Sequence, residues 1–257
     1  MALVNYTVVN RIAYITLNRP EKRNSLNPEL VNDLTRAFTT ASSDQGVKVI
    51  VLNAHGEVFS AGADLAYLQQ LQNNSYEENV ADSSALRDLF YAVYTAPKVV
   101  IAQVEGHAIA GGCGLASVCD IVYSVPEAKF GYTEVKIGFI PALVACFLVR
   151  KLGEARTKEL LLTGELVNAE TAQNYGLINH LCDKDTIQQQ VREHAEKIAG
   201  ETSSASISLT KELLNIAQNL SLEESLREAV NMNAAARATD DCKKGISAFL
   251  NKEKITW

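Results

Sequence analysis

The stretch from Lys98 to Glu134, KVVIAQVEGHAIAGGCGLASVCDIVYSVPEAKFGYTE, limits the chain more than any other. Val99 to Val104 is an apolar run of the kind that forms a fully buried strand. The chain then turns through Glu105-Gly106-His107 and reaches Ala110-Gly111-Gly112-Cys113-Gly114, where Leu115, Ala116 and Val118 begin a helix. A second strand is expected from Asp120 to Val125, and Glu134 follows a Phe130-Gly131 turn. A strand that feeds a glycine-rich turn into a helix leaves backbone N–H groups unpaired at the helix start. Such groups can hold an anion or a developing oxyanion. The same glycines would equally serve close strand-to-helix packing.

The unit of buried strand, small-residue turn and helix occurs twice, at 47–71 and 98–119. Phe59-Ser60-Ala61-Gly62-Ala63-Asp64-Leu65 is the turn of the first copy, with Asp64 as N-cap of the helix that follows. A third copy is expected near 120–134, with its helix at about 142–151. Tyr6 to Val9 and Ile12 to Leu17 read as a hairpin around Asn10-Arg11, and Pro28 opens a helix carrying Leu30, Leu34, Ala37 and Phe38 on one face. Stacked units of this kind predict strands wound into a spiral with helices outside. Residues 71–84 are polar and lose periodicity, which predicts a loop over a site in preference to a solvated linker; Ala85 to Ala96 then resumes helical spacing. After a capped helix at Asn168–Gly176 and a short strand at 177–181, helices are expected at 184–199, 206–218, 222–237 and 241–251. We divide the chain into a spiral core, 1–200, and an all-helical region, 201–257, whose amphipathic faces would close the core or meet another subunit.

Composition narrows the function. The 257 residues carry a net charge of −6, which disfavours a nucleic-acid platform. No apolar run reaches the length a membrane helix needs, and the opening MALVNYTVVN lacks the pattern of a secretory leader. The five cysteines form no CxxC pair, so neither a metal site nor a disulfide framework is expected, most should be small buried hydrophobes, and a reducing, cytoplasmic compartment is the default.

Taken together, ITLNRPEKRNSL, FSAGADL, VEGHAIAGGCGLASVCDIVYS, FGYTEVKIGFIP, LLTGELVNAETAQNYGLIN and the late AFLNKEK resemble the crotonase superfamily, also called the enoyl-CoA hydratase/isomerase family. The resemblance runs over nearly the whole chain. It implies an α/β fold with a ββα superhelix and a C-terminal helical trimerisation region. It also implies an acyl-CoA thioester as substrate, with no metal or redox cofactor, and a homotrimer or dimer of trimers. The oxyanion hole would be formed by the N–H groups of Ala63 and Gly111. This agrees with the residue-level reading, since donors must sit where charge develops.

Family hydratases carry one glutamate three residues after the oxyanion glycine and a second in an FGxxE stretch. Here the first position is Gly114 and the second is Glu134, which leaves one carboxylate as acid/base. A single glutamate suits double-bond isomerisation, yet bacterial methylglutaconyl-CoA hydratases also carry glycine at the first position and resemble this chain in EVKIGFIPALV. The chain is thus expected to hydrate a short or branched enoyl-CoA such as 3-methylglutaconyl-CoA, with an enoyl-CoA isomerase as the rival. Pro141-Ala142-Leu143-Val144-Ala145 replaces a glycine-rich run found in most members and should reshape the acyl pocket. The resemblance further assigns Lys22, Arg23, Ala61, Asp64, Phe249 and Lys252 to the CoA side, with the last two often serving a neighbouring subunit. Tyr132 would line the pocket or pack in the core, Asp64 would equally serve as a helix cap, and His107 is expected to be a packed turn residue. A binder of acyl-CoA or RNA without turnover is the reading from another class.

Overall fold

The computed structural model describes residues 2–257. It opens with an antiparallel hairpin of β1 (Val4–Val9) and β2 (Ile12–Leu17), closed by Asn10 and Arg11 at φ of 51° and 68°. Two consecutive positive-φ residues match the twist of the flanking strands. Helix α1 (Pro28–Ser43) starts where Asn27 accepts the Leu30 N–H, and it buries Leu30, Leu34, Ala37 and Phe38 as their spacing predicts.

Three turns of the spiral follow. The first is β3 (Val49–Ala54), β4 (Val58–Ser60), α2 (Leu65–Leu71) and α3 (Tyr76–Tyr94). The second is β5 (Val99–Val104), β6 (His107–Ile109) and α4 (Gly111–Ser117). The third is β7 (Ile121–Ser124), β8 (Lys129–Gly131) and α5 (Ala142–Thr163), the last kinked at Gly153. Each turn gives its first strand to one sheet and its second to another. The first sheet has order β1-β2-β3-β5-β7-β10 and the second β4-β6-β8-β9, completed by β9 (Val167–Asn168) and β10 (His180–Leu181), which flank α6 (Ala169–Tyr175). The pairing within the spiral is parallel, which explains why Val49–Leu52 and Val100–Ala102 are apolar on both faces.

Helix α7 (Ile187–Glu201) packs across β2, β3, β5 and β7, burying Ile187, Val191 and Ala195. Its C-terminal end is tied back by Lys48, whose ammonium donates to the carbonyls of Ala199 and Thr202. Helices α8 (Ser204–Ala217), α9 (Leu222–Ala238) and α10 (Asp240–Asn251) pack on one another. Their apolar face does not close the core of the chain: Leu222, Leu226, Val230, Phe249 and Leu250 are all exposed.

Three expectations are corrected. Residues 76–84 are not a loop but the first half of α3, which Ser75 and Glu78 start with a reciprocal capping box. The periodicity is weak there because only Leu89, Phe90 and Val93, all in the last turns, are buried. Phe130-Gly131 belongs to strand β8 rather than to a turn. His107 is not packed: it stands exposed on β6, and its Nδ1 accepts the Lys129 N–H at 3.2 Å. Cys113, Cys119 and Cys182 are buried, whereas Cys146 is exposed.

Candidate active site

The two small-residue turns abut. Gly62 has φ of +86°, and a Cβ built on it would lie 2.8 Å from Ala110 Cβ and 3.6 Å from the Gly111 nitrogen. Any side chain there would both strain the backbone and part the turns. Gly112 meets Ser60 as closely, with a built Cβ 2.5 Å from its carbonyl oxygen. Around the turns several donors are engaged. Ala61 N–H bonds to Arg23 O, Asp64 N–H to Leu26 O, and Ala110 N–H to Gly131 O. Among the described residues, the N–H groups of Ala63 and Gly111 have no acceptor within the protein. Gly111 is the first residue of α4, so its N–H also lies at the positive end of that helix. Ala110, just before it, has φ of 50° and ψ of −125°, a conformation that costs a residue with a Cβ about 1–3 kcal/mol. Lys151 anchors the far end of α4 by donating to the carbonyls of Ser117 and Cys119.

Ala63 and Gly111 both line a cavity of about 480 Å³, together with Ala61 and Glu134. Glu134 opens a short 3-10 turn, Glu134–Ile137, directly after β8. One of its carboxylate oxygens, Oε2, is buried without a hydrogen-bond partner among the described residues. Burial pushes this carboxyl above the ordinary glutamate range. A carboxylate with a raised pKa and an unpaired oxygen is suited to take and return a proton.

Gly114 does not line the cavity. A methyl built on it would overlap Val144 Cγ1 and sit 3.1 and 3.2 Å from Phe90 Cζ and Cε2. The place of the family's first glutamate is thus closed by two apolar side chains, one from α3 and one from α5. Pro141, Ala142, Leu143 and Val144 all line the cavity, so the run that departs from the family's glycine-rich pattern forms part of the pocket wall. The exposed Ile137, Phe139 and Ile140 add an apolar stretch to it.

Other candidates separate. Ala61 lines the cavity, but Asp64 is turned inward. Asp64 caps α2 through the Ala66 and Tyr67 N–H groups and pairs with Arg19 at 2.6 Å, which leaves no free oxygen for a ligand. Burial would raise its carboxyl, but the Arg19 hydrogen bond and the two backbone donors outweigh it and hold the carboxyl low. Tyr132 is completely buried, enclosed beside Cys113, and is core rather than pocket wall. Lys22 and Arg23 are exposed on the loop before α1, outside the cavity lining. The loop itself is rigidly held, because Asn24 donates to His55 O and Val58 O and accepts the Arg19 N–H. Phe249 and Lys252 are exposed at the end of α10 and do not line the cavity of this chain. Residue-level reading missed Arg19, Tyr67, Asp82 and Phe90. Only Arg19, inside the NRPEKRN loop, left a trace in the motifs.

Two N–H groups without acceptors and one buried carboxylate thus belong to one cavity, and the comparisons give the chain's lineage. A sequence profile described as enoyl-CoA hydratase/isomerase matches residues 7–257. A Thermus thermophilus protein with a provisional enoyl-CoA hydratase name is 45% identical over 241 residues, covering 94% of this chain and 95% of that protein. The mitochondrial enoyl-CoA hydratase of Pongo abelii is 34% identical, covering 96% of this chain and 84% of that protein. The crystal structure of an enoyl-CoA hydratase from Mycobacterium smegmatis superimposes with a TM-score of 0.93 at 28% identity, covering 99% of this chain and 98% of that one. The chain belongs to the enoyl-CoA hydratase/isomerase family, the crotonase superfamily, and is an enzyme of that family with its α/β spiral and C-terminal helical region. No helix among the described residues is long and apolar enough to cross a membrane.

Proposed function

We propose that the chain adds water to the double bond of a short or branched enoyl-CoA, or removes it from the 3-hydroxyacyl-CoA. The thioester oxygen is held by the N–H groups of Ala63 and Gly111. Water attacks the β-carbon and gives one proton to Glu134, while the π electrons move onto the thioester as an enolate. Glu134 then delivers a proton to the α-carbon, which restores the carboxylate. These steps balance with this chain's residues and need no metal or redox cofactor.

The observation that carries the reading is the convergence of two unpaired N–H groups and the half-free Glu134 carboxylate on one cavity. The acyl group is better neutral than negatively charged. No Lys, Arg or His is among the lining residues, so the one free carboxylate of the 3-methylglutaconyl group would find no cation there. The closure of Gly114 by Phe90 and Val144 favours a second reading, an enoyl-CoA isomerase, in which Glu134 alone moves a proton along the chain. Lys22, Arg23, Phe249 and Lys252 remain our assignments to the CoA side. The exposed apolar residues of α9 and α10 support assembly through the 201–257 region as a homotrimer or a dimer of trimers.

The test is product analysis by mass with a 2-enoyl-CoA, a 3-enoyl-CoA and 3-methylglutaconyl-CoA. A gain of one water, abolished in Glu134→Gln, is the expected result. A shifted double bond with no change in mass would replace the hydratase by the isomerase.

A further inference from the structure

Besides Glu134, the cavity wall holds one further carboxylate, in a hydrogen-bonded pair that the mechanism does not use. Tyr67 on α2 donates its hydroxyl to Asp82 on α3, and both residues line the cavity. Asp82 is half-buried and has no cationic partner among the described residues. Burial and the neighbouring Asp82 push the Tyr67 hydroxyl upward, so it stays a donor across the physiological range. The pair also spans the two helices that roof the cavity.

Helix geometry gives its place relative to the chemistry. Tyr67 lies in the first turn of α2, four residues after Ala63. Asp82 lies eight residues before Phe90, the side chain that closes Gly114, which is about two turns or ~12 Å along α3. Tyr67 is hydrogen-bonded to Asp82 and not to Glu134. Tyr67 and Asp82 share the cavity lined by Ala63, Gly111 and Glu134, on the helices that wall it away from the two turns.

We infer that the Tyr67–Asp82 pair is a specificity determinant for the acyl group, accepting a hydrogen-bond donor such as a hydroxyl at the far end of the chain and rejecting a carboxylate there. Tyr67 satisfies one oxygen of Asp82 and fixes the carboxylate; the other lone pairs accept from the substrate. A substrate carboxylate would meet a like charge with no cation nearby, and such juxtaposition discriminates strongly in a site with little water. The class selected is therefore a neutral or hydroxylated acyl-CoA, not a dicarboxylic one. This rests on the proposed acyl-CoA site but not on its turnover.

Binding is accordingly measured first, by calorimetry, with saturated thioesters of one length: hexanoyl-CoA, 6-hydroxyhexanoyl-CoA and adipoyl-CoA. The order expected is hydroxyl tightest and adipoyl at least tenfold weaker than hexanoyl. Asp82→Asn should raise adipoyl-CoA affinity at least tenfold and leave hexanoyl-CoA within threefold. Tyr67→Phe, which frees the carboxylate to move, should erode the preference for the hydroxyl without improving adipoyl-CoA binding. Where the matching 2-enoyl-CoAs are hydrated, kcat/KM should follow the same order. Equal affinity for adipoyl- and hexanoyl-CoA, or an unchanged ratio in Asp82→Asn, would overturn the assignment. Hydration absent in wild type with the binding order intact would sink the hydratase reading alone. Weakening of all three ligands alike by Asp82→Asn would show a merely structural pair and also overturn it.

Discussion

Gly114 offers a direct probe of how the missing carboxylate's place is filled. Alanine there should gain about 1 kcal/mol from helix propensity, since the position lies inside α4. Against this, its methyl would overlap Val144 Cγ1 and press on the Phe90 ring, both buried, and overpacking costs about 1–3 kcal/mol. Gly114→Ala should therefore be neutral to destabilising by about 2 kcal/mol in the native background. Val144→Ala alone opens a cavity at a cost of about 2 kcal/mol. In that background only the Phe90 contacts at 3.1 and 3.2 Å remain, so Gly114→Ala should now be neutral to stabilising by up to about 1 kcal/mol. The effect of one substitution shifts towards stability on changing a single neighbour, a coupling of about 1–3 kcal/mol that a double-mutant cycle in urea resolves. If Gly114→Ala stabilises equally in both backgrounds, Val144 does not occupy the space. A glutamate could then be accommodated at 114 without repacking, and the reasoning about the absent acid fails.

Three further outcomes are expected. Arg19→Met leaves Asp64 buried without its cation and should cost about 3–5 kcal/mol. Because the Asp64 carboxyl is held below its unfolded value, its contribution is present above the ordinary carboxylate range and is lost as pH falls through the folded value; urea midpoints measured against pH should show a shallower acid loss in Arg19→Met. Glu134 has the opposite sign: its raised folded pKa means that stability falls as pH rises from the ordinary glutamate value to the folded one, so Glu134→Gln should be more stable than wild type at neutral pH while losing activity. In wild type the acid limb of kcat/KM should lie above the ordinary carboxylate range, and a limb at the unperturbed value would contradict the burial argument. Ala110→Gly should relieve about 1–3 kcal/mol of strain, offset by about 0.4–1 kcal/mol of added chain entropy, for a net gain near 1 kcal/mol in thermal unfolding.

Local rules carried much of the fold. The hairpin at Asn10-Arg11, the α1 stripe, the Asp64 cap and both glycine turns each depend on neighbours within a few residues, and each is readable at that range. The start of α3 was readable too, since Ser75 and Glu78 spell a capping box, but its first half shows too few core contacts for the apolar pattern to register. What composition and spacing do not encode is contact between distant segments. The Arg19–Asp64 pair, the Phe90 and Val144 cover on Gly114 and the Tyr67–Asp82 bond all join elements that meet only after the spiral has wound. Tyr132 stayed ambiguous for the same reason: two residues from Glu134, it turns into the core, and no local rule fixes which way it points.

The two halves of the site therefore have different structural bases. The small-residue turns sit at strand ends inside the spiral, where Gly62 and Gly112 contacts leave no freedom and the Ala110 conformation is held against strain. Changing them disturbs the core. The rest of the cavity wall is built from α2, α3 and the start of α5, whose cavity-facing residues, the buried Phe90 and Val144 apart, are half-buried or exposed. Substitutions such as Asp82→Asn touch one hydrogen bond there and no sheet contact. Thioester polarisation should thus resist mutation through stability, while acyl preference should change at little cost in folding. The ratio of activity loss to stability loss across variants of the two regions would separate them: near-complete coupling at Gly62 and Gly112, near-independence at Tyr67 and Asp82.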